Sequence, residues 1–219
     1  MLYIMSDVHG NLTKWEKMKK LINLGNDDTL IVIGDVIDRN YGGIHILQEI
    51  LSKDNMITLM GNHELMMIDA LTYPDDKTCM KNWFTNGGDV TFKELSGLPN
   101  DDKESLIQSV RELPMELEVQ YGDKRIRLTH AAPRETFPNS EYRWLEDHMV
   151  WDRTSFNNPI NIGCMFIFGH TPVQLISNEF STSEIIKFDH DWYDIDCGAC
   201  YPFGKLACLR IDDMQEFYV

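Results

Sequence analysis

Thr29-Leu30-Ile31-Val32-Ile33-Gly34-Asp35-Val36-Ile37-Asp38-Arg39 is the stretch from which the rest of the chain can be read. Its first five residues run almost without polarity into Gly-Asp, as expected of a parallel strand covered on both faces. The polar cluster then falls at the strand's C-terminal end, the edge of an open α/β sheet where ligands usually bind. The pattern recurs on either side. Leu2–Met5 leads into Asp7-Val8-His9-Gly10, residues 56–60 lead into Gly61-Asn62-His63-Glu64, and Met165–Phe168 leads into Gly169-His170-Thr171.

Between these strands lie helical patterns. Leu12, Trp15, Met18, Leu21 and Ile22 recur at helical spacing over about 12–24, with Asn11 as a candidate cap. A second helix is expected over about 42–52, and a strand at 56–60 completes a β-α-β-α-β series with right-handed crossovers. Residues 63–112 read as helical, with a turn at Asn86-Gly87-Gly88 before a helix near 89–96. Residues 115–129 alternate around Tyr121-Gly122-Asp123, a hairpin signal that ends at Thr129-His130. Further strands are expected at 165–168, 192–196, 206–211 and 215–218. The expectation is a single α/β domain over 1–219, with two mixed sheets packed together and flanked by helices.

Composition narrows the function classes. Thirty-five acidic against 20 basic residues give a formal charge of −15, a surface that repels nucleic acid and anionic membranes. No apolar run is long enough for a membrane helix, and the chain enters its first strand at once, so a cytoplasmic protein without a signal peptide is expected. Five cysteines (Cys79, Cys164, Cys197, Cys200, Cys208) are expected as reduced thiols. Cys197 and Cys200 have CxxC spacing but no second pair to complete a zinc site.

Each polar cluster has a bland alternative when taken alone. Asp7 could cap a helix, Asn62 could be an N-cap, Asp35 could be turn chemistry, and Asp38-Arg39 could be a surface ion pair. His130 and His170 could be ordinary hydrogen-bonded histidines. Taken together, Asp7, His9, Asp35, Asn62, His130 and His170 offer mixed carboxylate, imidazole and amide donors at successive strand ends. That is a donor set for two divalent ions. Such a pair can hold a hydroxide between them, in line with phosphorus.

The ordered motifs around Asp7, Asp35, Asn62, His130 and His170 resemble those of the metallophosphoesterases, in the phosphoprotein-phosphatase branch. Chain length and Trp151-Asp152-Arg153 resemble the small bacteriophage lambda-type and bacterial serine/threonine phosphatases. The resemblance implies a calcineurin-like fold, and Asp7 and His9 as ligands of one metal. It implies Asp35 as the bridge, with Asn62, His130 and His170 on the second metal. It makes His63 the general acid, Asp38 its orienting carboxylate, and Arg39 and Arg153 the phosphoryl grips. It points to manganese as the activating ion, with iron, zinc or cobalt also compatible. The implied substrates are phosphoserine and phosphothreonine in proteins, with phosphotyrosine or small phosphoesters in addition. Diadenosine tetraphosphate hydrolases share the metal ligands but commonly lack the acid at the Asp38 position. A noncatalytic metal-binding scaffold is the rival from another class. Asn40 stands where the family usually has Gly, and Ala131-Ala132 where many members have Ala-Gly.

Overall fold

The computed structural model describes residues 1–219. The first half contains β1 (Leu2–Met5), α1 (Leu12–Ile22), β2 (Thr29–Val32), α2 (Gly43–Leu51) and β3 (Met56–Thr58), then four helices. These are α3 (Asn62–Thr72), α4 (Lys77–Thr85), α5 (Asp89–Ser96) and α6 (Asn100–Arg111). The second half contains β4 (Glu116–Tyr121), β5 (Lys124–Thr129), α7 (Leu145–Trp151), β6 (Met165–Phe168) and α8 (Val173–Ile176). It ends with β7 (Ile186–Phe188), β8 (Trp192–Asp194), β9 (Ala207–Arg210) and β10 (Gln215–Tyr218). No helix is long and apolar enough to cross a membrane.

Two five-stranded mixed sheets result, in the orders β10-β9-β1-β2-β3 and β4-β5-β6-β8-β7. In the first sheet β1 with β2 and β2 with β3 are parallel, at one end of the sheet; in the second β5 with β6 and β6 with β8 are parallel, at its centre. The remaining pairs are antiparallel. Side chains on a strand alternate between faces, and here both faces are apolar for different reasons. Leu2, Ile4, Ile31 and Ile33 meet Ile126, Leu128 and Ile167 between the sheets. Tyr3, Met5, Leu30 and Val32 turn to the helices and pack with Trp15, Met18, Ile44 and Leu47. On the outer face of the second sheet, Phe166, Phe168 and Trp192 form a separate aromatic cluster. Full burial of each such side chain contributes about 1.5–3 kcal/mol, which makes the sheets a stiff base for their loops.

The expected elements are present with shifted ends. Helix α1 stops at Ile22 because Asn23 turns left-handed (φ 47°), and Asn11 does cap it through Lys14 N at 3.1 Å. The expected 192–196 strand ends at Asp194, since Asp196 and Gly198 are drawn into a turn by bonds to Asp194 Oδ1 and Asp196 Oδ1. Helices α7 and α8 and strand β7 go beyond the expected elements. All three are short, and α7 follows a 3-10 stretch over Arg134–Asn139 with Pro138 inside it.

Candidate active site

Loops from five strand ends converge on one place. β1 delivers Asp7 and His9, β2 delivers Asp35, β3 leads to Asn62 and His63, β5 to His130 and β6 to His170. All seven are buried. The backbone there is held in an uncommon state. Of the 11 non-glycine residues with positive φ, Asp7, His9, Asp35, Asp38, Arg39 and His170 are six. Asp and His visit this region more readily than most residues, but Arg39 at φ 68° does so at a real cost. Strain gathered on polar loop residues points to a constraint other than stability.

Asp35 is the hub. Its Oδ2 stands 3.6 Å from His9 Nε2 and 3.8 Å from His63 Nε2, while its Oδ1 stands 3.3 Å from His130 Nε2. Thus the two carboxylate oxygens face different imidazole groups. His9 Nδ1 bonds the Ile37 carbonyl at 3.1 Å and His130 Nδ1 the Ile33 carbonyl at 2.8 Å, which turns each Nε2 towards Asp35. Asn62 Oδ1 lies 2.9 Å from His130 Nε2, and His63 N donates to Asp35 Oδ1 at 3.0 Å. Asp7 lies at the margin, with Oδ1 3.9 Å from His9 Nε2 and Oδ2 accepting from His170 N at 3.1 Å and from the Ser6 hydroxyl.

Charge states follow from this packing. Burial, then the Arg39 charge, holds His9 well below the usual imidazole range; burial, then His130, does the same to His170. Burial also opposes a charge on His130, but the Asp35 carboxylate overrides it and raises His130 to about 10. Burial likewise disfavours the Asp35 anion, yet His130 and His63 keep its carboxyl well below the usual range. Asp194 and Asp196 lie behind the site. Burial raises both well above the carboxylate range, with the Asp196 charge adding at Asp194 and the Asp7 charge at Asp196.

The structure gathers His9, Asp35 and His63 into one group of mutually close donor atoms, and Asp35, His130 and His170 into another, sharing Asp35. Metal–ligand bonds of about 2.0–2.2 Å put neighbouring donors roughly 3–3.6 Å apart. The 3.3 and 3.6 Å separations around Asp35 suit that scale, being too long for good hydrogen bonds. The donor set therefore fits two divalent ions.

His63 has a second set of partners. Its Nδ1 lies 2.7 Å from Asp38 Oδ2, and its Nε2 lies 3.2 Å from Arg39 Nη2. Asp38 is fully buried and also accepts from Trp83 Nε1 at 2.9 Å and from the Thr91 hydroxyl at 2.6 Å. The surface ion-pair reading of Asp38-Arg39 is thereby excluded. Arg39 Nη1 instead reaches Cys200 Sγ at 3.0 Å, and Arg153 Nη1 reaches the His170 carbonyl at 3.1 Å and Thr171 Oγ1 at 3.2 Å. Nor does Asn62 cap α3; Gly61 holds the N-cap position. A β-carbon at Gly61 would stand 2.3 Å from Asp35 Oδ1, so the close approach of these two loops requires glycine there.

Both departures from the family pattern are accommodated. Asn40 has no positive φ that would call for glycine, and its side chain donates to the His9 carbonyl at 3.0 Å. Ala131 and Ala132 are buried, and Ala131 N bonds the Met149 carbonyl at 2.8 Å.

Glu64, Trp83 and Thr91 also hold the site together, beyond the candidate residues that the sequence offers. Trp83 and Thr91 carry no sequence signal for their role, since a Trp at helical spacing reads as core. Glu64 had a signal, three residues after a helix start. Its carboxylate accepts from Gly61 N (3.0 Å) and Asp35 N (2.9 Å) at one oxygen, and from Val36 N (2.9 Å) and Ile37 N (3.3 Å) at the other. Burial pushes its carboxyl up to about 7, whereas four N–H donors aimed at two oxygens favour the anion, and the geometry decides for the anion. Glu64→Gln should therefore destabilise the protein by about 2–5 kcal/mol, because an amide NH2 must face two buried donors. Urea unfolding measures this; a change within 0.5 kcal/mol, the usual surface-substitution range, would show that the loop does not depend on that carboxylate.

The sequence pattern of the calcineurin-like phosphoesterases matches residues 2–200, and the chain belongs to that family. It is similar to a serine/threonine-protein phosphatase 2 of Salmonella typhimurium, 25% identical over 181 residues, covering 77% of this chain and 78% of the relative. It is also similar to a symmetrical bis(5'-nucleosyl)-tetraphosphatase of Klebsiella pneumoniae, 22% identical over 271 residues, covering 98% and 93%. Among solved structures, a metallophosphoesterase from Sphaerobacter thermophilus superposes with a TM-score of 0.58 at 20% identity, over 100% of this chain and 87% of that one. A Saccharomyces cerevisiae protein serine/threonine phosphatase with similarity to human PP5 gives 0.60 at 13% identity, over 100% and 78%. These structures share the fold. The chain is a phosphoesterase of a two-metal family.

Proposed function

We propose that the protein is a manganese-activated phosphomonoesterase acting on phosphoserine and phosphothreonine in proteins. Asp7, His9 and Asp35 would hold one ion, and Asp35, Asn62, His130 and His170 the other. When bound, the ions supply positive charge to the phosphoryl oxygens and an acidified water as nucleophile. Arg39 and Arg153 hold the remaining oxygens by charge-assisted bonds in a geometry that Lys does not reproduce. His63 delivers a proton to the departing alkoxide, and Asp38 fixes its Nδ1–H so that Nε2 faces the substrate. The observation that carries this reading is the buried Asp38–His63 contact at 2.7 Å beside Arg39. An alkoxide needs that proton, whereas a phosphate leaving group, as in nucleotide hydrolysis, does not.

The second reading, hydrolysis of diadenosine tetraphosphate, is favoured by the end-to-end similarity to the Klebsiella tetraphosphatase. Turnover of phosphoserine peptide, phosphotyrosine peptide and diadenosine tetraphosphate by one manganese-loaded preparation decides between them. Preference for the dinucleotide by an order of magnitude or more overturns the monoesterase reading. Two bound ions without turnover of any phosphoester, p-nitrophenyl phosphate included, would favour a scaffold.

Arg39→Ala and Arg153→Ala should each keep two bound ions while weakening inhibition by inorganic phosphate roughly 10- to 100-fold, the worth of a charged hydrogen bond. Unchanged inhibition would mean that other groups grip the phosphoryl oxygens.

A further inference from the structure

Consecutive side chains on a strand point to opposite faces, so Ser6 and Asp7 would part company if β1 ran on through them. Instead β1 ends at Met5 and Asp7 turns left-handed at φ 52°, which lets the two side chains meet. The Ser6 hydroxyl donates to Asp7 Oδ2, and His170 N donates to the same oxygen at 3.1 Å. The other oxygen, Oδ1, is left facing His9 Nε2 at 3.9 Å. Two donors therefore hold one edge of the carboxylate, and the opposite edge points at the second ligand of the same ion.

The packing keeps this arrangement in place. Ser6 and Asp7 are both buried. Gly169 closes over them so tightly that a β-carbon there would overlap both Ser6 Oγ and Asp7 Oδ2. A hydroxyl in that space has little freedom to turn to another acceptor. The groups that hydrogen-bond a metal's ligands orient them and set affinity nearly as strongly as the ligands do. Of the two donors on Oδ2, one is the backbone N–H of His170, itself assigned to the other ion. Ser6 is the side chain that controls how Asp7 is presented.

We propose that Ser6 is a positioning residue for the ion held by Asp7 and His9. Its hydroxyl occupies Oδ2, leaves Oδ1 as the single metal-facing oxygen, and so sets the affinity of that site without touching the ion. The inference rests on the two-ion assignment and not on which phosphoester is turned over. It predicts an asymmetry: one ion depends on Ser6, and the ion on Asn62, His130 and His170 does not.

The test titrates manganese into the metal-free full chain and follows the free ion by EPR, which reads binding without turnover. Ser6→Ala, which deletes one atom, should weaken one ion about 10- to 100-fold and leave the other unchanged. Asp7→Ala should keep a single ion, and adding Ser6→Ala to it should change nothing further, because a hydroxyl that works through Asp7 has no effect once that carboxylate is gone. Equal weakening of both ions, an effect that persists in the Asp7→Ala background, or no change in either constant overturns the proposal. Should Ser6→Ala fail to fold, Ser6→Cys fills the same space with a weak S–H donor, and the same outcomes decide. Fewer than two ions on the wild type would remove the two-ion assignment and the Ser6 proposal with it, whereas two ions with no effect of Ser6 removes the proposal alone.

Discussion

Asp35→Asn should empty both ion sites and abolish phosphoesterase activity. The substitution keeps size and shape but replaces one of two metal-facing oxygens with an amide nitrogen and removes the charge. Asp35 is the one residue common to both donor groups, and its two oxygens face His9 and His130 at 3.6 and 3.3 Å. Elemental analysis after dialysis should show both ions falling together; loss of one alone would assign Asp35 to a single site. Two ions retained per chain would refute the bridging role. A second readout needs no metal. His130 is raised to about 10 chiefly by Asp35 working against burial, so removing that charge should lower its titration midpoint in metal-free protein. An unmoved His130 titration, followed by NMR, would mean that Asp7 and the Ile33 carbonyl suffice to hold the proton.

Much of the fold was legible because its strands are covered on both faces. Thr29–Val32 and Leu2–Met5 bury alternate side chains between the sheets and under the helices, so both read as unbroken apolar runs. The hairpin of β4 and β5 was legible for the opposite reason: its pattern alternates, and Gly122 supplies the turn at φ 60°. Helices α7 and α8 and strand β7, of seven, four and three residues, escaped. β7 pairs with only one neighbour, β8, and carries one exposed and two half-buried side chains, too little periodicity to read.

Nine of the ten candidate residues lie on segments that leave strand ends, and Arg153 joins them from beyond the end of α7, but the groups that hold them do not announce themselves. Trp83 and Thr91 reach Asp38 from 45 and 53 residues away in sequence, through the packing of α4 and α5. A tryptophan in a helical stripe looks the same whether its N–H meets a carboxylate or water. Cys200 was read as an ordinary thiol, since nothing local reveals that Arg39 lies against its sulfur. Glu64 shows the limit from the other side. Gly61-Asn62-His63-Glu64 marks a helix start in the sequence, but the Glu64 carboxylate's bonds to Asp35 N and Val36 N depend on the loop after β2 folding back over α3.

His63→Asn should separate proton donation from ion binding. Nε2 of His63 lies 3.8 Å from Asp35 Oδ2, within the first donor group, while Nδ1 is held at 2.7 Å by Asp38. If the Asp38 contact defines its role, the variant keeps two ions, because Asn62 and His130 are untouched. Hydrolysis of phosphoserine should then fall by roughly 10²–10⁴-fold, the usual contribution of a positioned general acid. p-Nitrophenolate leaves without a proton, so p-nitrophenyl phosphate should lose distinctly less. Asp38→Asn should follow the same split more weakly, since Trp83 and Thr91 can still bond the amide oxygen but Nδ1 loses its charged partner. Both substrates on one metal-replete preparation make the comparison. Equal losses would show that His63 orients substrate or nucleophile, and loss of an ion would move it into the coordination sphere.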